Sequence, residues 1–357
     1  MTEATAAVRL APLTTLRLGG PARRLVRVTS EAELVEAVRA LDADRERLFV
    51  LAGGSNVVVA DAGVPATVVQ VATSGVERRE LGEGRVALTV QAGEEWDRVV
   101  AGAVDDRLAG IECLSGIPGS TGATPIQNVG AYGQEVSSTI AAVRVLDRER
   151  GAVLELGPED CGFGYRTSRF RRRDRHVVLS TTFALAPAAA PGSEPIRYAE
   201  LARALGVEPG GRAPLADVRE AVLALRRAKG MVVDPADPDS VSAGSFFINP
   251  VLADAAAVEL RRRVAERLGP NAAPPTWPGP DGGVKVSAAW LIERAGFGRG
   301  YGRGRVGVSA RHTLALVNRG GATTAELVAL AREIAAGVRA EFGVELVPEP
   351  VFVGHTW

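Results

Sequence analysis

The sequence predicts an α+β protein of more than one domain, and three observations carry that expectation. A strand–helix–strand pattern occupies residues 23–52. Short β-rich runs then dominate from Val57 to Leu185, and a Pro/Ala/Gly-rich break at 186–195 precedes a segment rich in helical periodicity. At 357 residues the chain exceeds the size at which one compact core stops growing.

In order along the chain, residues 23–28 (RRLVRV) read as a strand. Ser30 and Glu33 have the spacing of a capping box, and Leu34, Val35, Val38 and Leu41 fall on one face of the helix that follows. A second strand at 48–52 runs into Gly53-Gly54-Ser55-Asn56. Further strands are expected at 67–71, 86–92, 141–147 and 177–185, with a helix near 94–107. APAAAPGSEP (186–195) reads as a linker or surface excursion. Beyond it, helices are expected at 214–229, 254–268, 287–295 and 323–342, with strands near 246–248, 313–317 and 344–353. The arginine-rich run 169–175 reads as a solvated turn. The expected division is 1–72 as a βαβ subdomain, 73–190 as a second subdomain, and 191–357 as a C-terminal α+β domain.

Composition excludes several classes of function. With 42 basic against 42 acidic residues there is no surplus charge to neutralise a nucleic-acid backbone, so nucleic acid is not an expected partner. Cys113 and Cys161 are too few for a disulfide framework or a cysteine-based metal site, which points to a reducing cytoplasm. The first twenty residues lack a basic segment followed by an apolar run, so no export signal is expected. Cys113–Gln134 carries no charge, but its five glycines, two prolines and many polar residues make it a loop system rather than a membrane span.

Two glycine-rich loops stand out. Gly53–Asn56 follows a strand, and Gly116-Ile117-Pro118-Gly119-Ser120-Thr121-Gly122 continues through Gln127-Asn128-Val129-Gly130-Ala131-Tyr132-Gly133. Glycine lets a backbone approach a phosphate closely, and Ser and Asn add neutral donors. Neither loop matches GxGxxG or GxxxxGK[ST], so a nucleotide site of another kind is expected. Arg166, in GYRTSRF, is a candidate carboxylate clamp or one more surface arginine. Ser245, followed by two phenylalanines, lacks the GxSxG context of a hydrolase and is a candidate proton donor or a buried structural hydroxyl. Glu349 lies between two prolines, where a partly buried carboxyl with a raised pKa is plausible; Glu345 is its competitor, and either could be a solvated charge at a strand end.

Seven segments in order, TTLRLGGPA (14–22), LAGGSNVVV (51–59), SGIPGSTGATPIQNVGAYGQEV (115–136), GYRTSRF (164–170), AGSFFINP (243–250), KVSAAWLIERAG (285–296) and LVPEPVFVG (346–354), closely resemble the UDP-N-acetylenolpyruvoylglucosamine reductase (UDP-N-acetylmuramate dehydrogenase) family. The resemblance implies a vanillyl-alcohol-oxidase-type FAD-binding domain in two subdomains and a substrate domain whose last segment packs back near the flavin. It implies NADPH-dependent, FAD-mediated reduction of the enolpyruvyl group of UDP-N-acetylglucosamine enolpyruvate to UDP-N-acetylmuramate, a step of peptidoglycan precursor synthesis. Its catalytic positions fall on Arg166, Ser245 and Glu349. Its FAD contacts fall on Gly53, Gly54, Ser55, Asn56, Gly116, Pro118, Gly119, Ser120, Gly122, Ala123, Gln127, Asn128, Gly130, Ala131 and Tyr132.

The 79 residues from Arg166 to Ser245 imply the subtype with an extra substrate-covering loop. Tyr198 resembles that loop's tyrosine, and Lys229 the lysine that meets the diphosphate. Asn249 and His312 match substrate-side positions. After Lys229 the chain reads Gly-Met-Val-Val-Asp-Pro, a departure from the family's Lys-Leu-Pro. No histidine precedes His176, so a tethered flavin is not expected. Neither a metal nor an obligatory protein partner is expected. The alternative is another noncovalent-FAD oxidoreductase of the same superfamily.

Overall fold

The computed structural model describes residues 4–188, 192–302 and 304–357. Its contacts divide into two compact units, one of 1–8, 22–54 and 64–232, the other of 9–21, 55–63 and 233–357. The chain therefore enters the second unit twice before its C-terminal half reaches it, and the units do not divide at residues 72 and 190.

In the first unit a four-stranded sheet has the order Ala4–Ala6, Ala22–Val28, Val64–Val71, Leu48–Leu51, the last three mutually parallel. Helix α1 (Glu31–Ala43) connects two of these strands. Ser30 accepts the Glu33 N–H at 3.2 Å, and Glu33 reaches back to the Thr29 N–H at 2.7 Å. Leu34, Val38 and Leu41 are buried as their spacing requires. The second sheet is antiparallel, in the order Ala152–Leu156, Ile140–Asp147, His176–Pro187, Val86–Gln91, Val76–Glu80. Helix α2 (Trp96–Asp105) packs Trp96, Val99 and Val100 into the core shared with that sheet. Val76–Glu80 is exposed along its whole length, so it has no apolar alternation to betray it as a strand.

Helices α3 (Ala199–Leu205) and α4 (Leu215–Ala228) also belong to the first unit. Leu201, Val218 and Val222 form a small core with Ile196 and Cys113. Of the expected linker, 189–191 lie outside the described residues, and 192–195 are packed rather than exposed on a tether. Ser193 is fully buried, and the Glu194 N–H donates to the buried Glu112 carboxylate at 2.9 Å. The same carboxylate accepts the Gly110 N–H at 2.7 Å, so a polar group buried there is satisfied by backbone donors.

The second unit contains α5 (Asp254–Leu268), α6 (Ala288–Arg294) and α7 (Thr324–Phe342). Two three-stranded sheets and the parallel pair Val57–Val59 with Val351–Val353 complete it. Segment 55–63 is fastened there by α7, whose Thr324 and Ala325 N–H groups donate to the Asp61 carboxylate at 2.7 and 2.9 Å. A strand expected at 246–248 lies instead at Ser242–Ser245. Beyond it the backbone changes partner, with the Ile248 N–H donating to Val347 O at 3.0 Å. The strand expected over 344–353 is reduced to Val351–Val353, since Pro348 and Pro350 have no N–H to contribute to a ladder. Among the described residues no helix is long and apolar enough to cross a membrane.

The arginine-rich run is a turn, as expected, but only part of it is solvated. Arg172, Arg173 and Asp174 are exposed, whereas Phe170 is buried and Arg175 grips Asp147 with Nε at 3.1 Å and Nη2 at 2.6 Å. Asp147 also accepts the Glu149 and Arg150 N–H groups. Arg175, with the Arg150 amide, holds its carboxyl well below the usual range, at about 2. A carboxyl whose pKa is lowered by folding stabilises the fold above its ordinary value of 3.8 and ceases to do so as pH falls toward about 2. The stability advantage of the native protein over Asp147→Asn, measured by thermal unfolding, should therefore be constant near neutrality and shrink from about pH 4 downward.

Candidate active site

The glycine-rich loops meet in the first unit. A Cβ on Gly53 would lie 2.7 Å from Gly119 Cα and 3.0 Å from Ser120 N, so the two backbones touch where only glycine fits. Gly122 is equally constrained, since its Cβ would lie 2.5 Å from Ala92 Cβ. The Gly122 N–H donates to Ala92 O at 2.9 Å and the Trp96 N–H to Gly119 O at 3.0 Å, laying the loop along the sheet and the start of α2. Ser120 and Gln127 are buried, while Pro118, Ala123, Gly130 and Ala131 are half-buried. Ser55 and Asn56 begin the segment of the second unit, where their carbonyls accept the Thr15 hydroxyl at 3.4 Å and the Val351 N–H at 3.0 Å.

Behind the longer loop lie charged residues that the sequence reading missed. Asp97 Oδ1 accepts the Gly116 N–H at 2.6 Å, and its two oxygens take Arg219 Nη1 and Nη2 at 2.6 and 2.9 Å. Burial works to raise the Asp97 pKa, but the hydrogen bonds from Arg219 and Gly116 outweigh it and hold the carboxyl below its usual value. Arg226 is 8% exposed and donates through Nη2 to Met231 O at 2.8 Å, while its buried Nε has no protein partner. Burial lowers its pKa against the opposing pull of Tyr132 and Asp97. A sequence signal existed, because Arg226 continues the buried stripe Leu215, Val218, Val222 of α4.

Arg166 occupies the tip of a tight turn closed by Gly164 and Thr167, whose N–H and carbonyl groups pair at 3.0 and 3.2 Å. Its guanidinium donates to Gly130 O at 2.6 Å and to Asn128 O at 3.5 Å. Arg166, Asn128 and Tyr132 all have left-handed backbones, with φ of 52°, 45° and 48°. Such conformations are costly for residues with side chains and concentrate at functional sites. Tyr198 and Lys229 converge on Tyr132. The two tyrosine rings meet edge-on at 5.4 Å, and Lys229 Nζ lies 5.7 Å from the Tyr132 centroid while paired with Glu200 at 2.7 Å. Burial pushes the Tyr132 hydroxyl up to about 12, keeping it a neutral donor.

In the second unit, Ser245 and Glu349 are brought to adjacent positions. Ser245 ends the strand 242–245 opposite Ala315, the Glu349 N–H donates to Phe246 O at 2.8 Å, and Phe247 bridges to Pro348. Phe246 and Phe247 are fully buried, and Glu349 is half-buried between buried prolines. Its competitor Glu345 is an exposed surface residue 4.0 Å from the exposed Arg339 guanidinium. His312 lies in the turn before Ala315, its N–H donating to buried Ser309 Oγ at 3.2 Å. Asn249 Oδ1 accepts the Ala288 N–H at 2.9 Å at the start of α6, so that oxygen has a structural task.

Residues 22–157 match the profile of the FAD binding domain family, and residues 235–353 match that of the UDP-N-acetylenolpyruvoylglucosamine reductase C-terminal domain. The chain is 57% identical over 349 residues to UDP-N-acetylenolpyruvoylglucosamine reductase of Thermobifida fusca, covering 98% of each sequence. It is 57% identical to the reductase of Salinispora arenicola, over 96% of this chain and 94% of that one. The crystal structure of UDP-N-acetylenolpyruvylglucosamine reductase from Thermus caldophilus superposes with a TM-score of 0.64 at 24% identity over 99% of both chains, and so shares the fold. With both its domains matched and its relatives aligned end to end, the chain belongs to the UDP-N-acetylenolpyruvoylglucosamine reductase family of flavin-dependent oxidoreductases.

Proposed function

We propose that Arg166, Ser245 and Glu349 carry the family reaction in this chain, the NADPH-dependent reduction of UDP-N-acetylglucosamine enolpyruvate to UDP-N-acetylmuramate. The observation that carries this reading is the backbone pairing of the second unit, which seats Glu349 beside the strand end that presents Ser245. The first unit fits FAD. Two backbones in contact leave a surface no Cβ obstructs at Gly53 and Gly119, and Arg226 brings a buried guanidinium with an uncommitted Nε beside Gly116. Gly53, Gly54, Ser55, Asn56 and the 116–132 loop would hold the cofactor. FAD, when bound, supplies the hydride that passes from NADPH to the enolpyruvyl methylene.

The protein must then manage charge and one proton. Hydride arrival at C3 leaves carbanion character at C2 that spreads into the substrate carboxylate. Arg166 and a protonated Glu349 bind that carboxylate and stabilise the charge as it develops. Ser245 gives its hydroxyl proton to C2; so basic an acceptor requires no shifted serine pKa. Tyr198, on the loop that includes α3, covers the sugar nucleotide, and Lys229 exchanges Glu200 for the diphosphate. His312 and Asn249, the latter through Nδ2, lie on the substrate side. The two cysteines, both buried and unpaired, suit a cytoplasmic setting.

Ser245→Ala should take up hydride from NADPH at close to the normal rate, while reoxidation by the enolpyruvyl sugar slows by roughly 10²–10⁴-fold, both read by stopped-flow flavin absorbance. Equal slowing of both half-reactions would remove Ser245 from the proton step. Lys229→Ala should raise KM for the sugar nucleotide by about tenfold or more with little change in hydride uptake from NADPH. An unchanged KM would leave Lys229 as a structural partner of Glu200.

A further inference from the structure

We propose that the Asn128 side chain is the positioning residue for Arg166, a role that rests on the assignment of Arg166 to the substrate carboxylate. Asn128 is 1% exposed and its amide is fully committed inside the protein. Nδ2 donates to Gly164 O at 3.1 Å and to Glu135 Oε2 at 2.9 Å, and Oδ1 accepts the Ser137 N–H at 3.1 Å. Both amide hydrogens are thus spent, so the side chain is not a donor to the cofactor, and Asn128 contributes to that loop through its backbone.

Gly164 is the foot of the turn that carries Arg166, and Asn128 grips that foot. The ring closes in the other direction, because the Arg166 guanidinium returns to Asn128 O and Gly130 O. Two segments far apart in sequence, 128–137 and 164–167, are therefore clamped at both the base and the tip of the turn. The clamp fixes the turn in which Arg166 adopts its left-handed backbone, a conformation that persists only where its surroundings impose it. The chemistry of position 128 is narrow. The residue must tolerate φ of 45°, donate twice and accept once, and asparagine does all three. Aspartate has nearly the same shape and tolerates the same φ, but it would aim acceptors at Gly164 O and at Glu135.

The test compares Asn128→Asp, the swap Asn128→Asp with Glu135→Gln, and Arg166→Ala, each as FAD-loaded enzyme. The swap restores a hydrogen bond between 128 and 135 in reverse, yet leaves Gly164 O without its donor. Hydride uptake from NADPH and reoxidation by the enolpyruvyl sugar are measured separately by stopped flow, alongside thermal unfolding and FAD retention. In Asn128→Asp, reoxidation should slow by at least about tenfold more than hydride uptake. In the swap, unfolding temperature and FAD retention should recover while that imbalance persists. Both half-reactions falling together, or a swap that restores the balance, would overturn the proposal and leave Asn128 as a closure of its own loop. Reoxidation slowed in Arg166→Ala but not in Asn128→Asp would overturn positioning alone. Unslowed reoxidation in Arg166→Ala would overturn the role of Arg166, and the positioning role with it.

Discussion

The contact of Gly53 with Gly119 is the constraint on which the first unit's candidate site depends. Two backbone segments from distant parts of the sequence touch without an intervening side chain, and any Cβ at Gly53 would collide with main-chain atoms that cannot move aside cheaply. This contact fixes where the Leu48–Leu51 strand ends relative to the glycine-rich loop 116–122, which lies against the start of α2. Everything else about that loop follows from fastening it in place: Gly116 through Asp97 to Arg219, Gly119 through Trp96, and Gly122 through Ala92.

Charge is used sparingly and mostly under the loops rather than on them. The 113–134 segment carries none of its own, so the groups that shape its field come from behind it, in Asp97, Arg219 and Arg226. A half-buried carboxylate such as Asp97, with two guanidinium bonds and one amide bond, is a firmer orienting device than an exposed pair would be. The same logic recurs at Glu112, where two backbone donors satisfy a fully buried carboxylate and tie the segment after residue 191 to the first unit.

Much of this was legible in the sequence, and the exceptions have physical causes. The helix at 254–268 showed its limits through periodicity alone, and α1 through Ser30 and Glu33, because these signals are local. The glycine loops stand out as candidate nucleotide loops, and the family resemblance points to Arg166, Ser245 and Glu349, the residues proposed above for the chemistry. What was not visible depends on partners at long range. Val57–Val59 reads as part of the first unit until its pairing with Val351–Val353 is known. The stretch 186–195 looks like a linker because proline and alanine say nothing about the buried Glu112 that receives the Glu194 N–H. Asn128 reads from the resemblance as an FAD contact, and only the fold shows that its side-chain amide is spent on Gly164, Glu135 and Ser137.

The most direct measurement is the absorption spectrum of the purified protein, followed anaerobically through addition of NADPH and then of UDP-N-acetylglucosamine enolpyruvate. A noncovalent flavin spectrum that bleaches with NADPH and returns with the enolpyruvyl sugar is the expected result. A flavin that bleaches and is not reoxidised by that sugar would contradict the substrate assignment, and a protein that takes up no FAD on reconstitution would contradict the reading of the glycine loops.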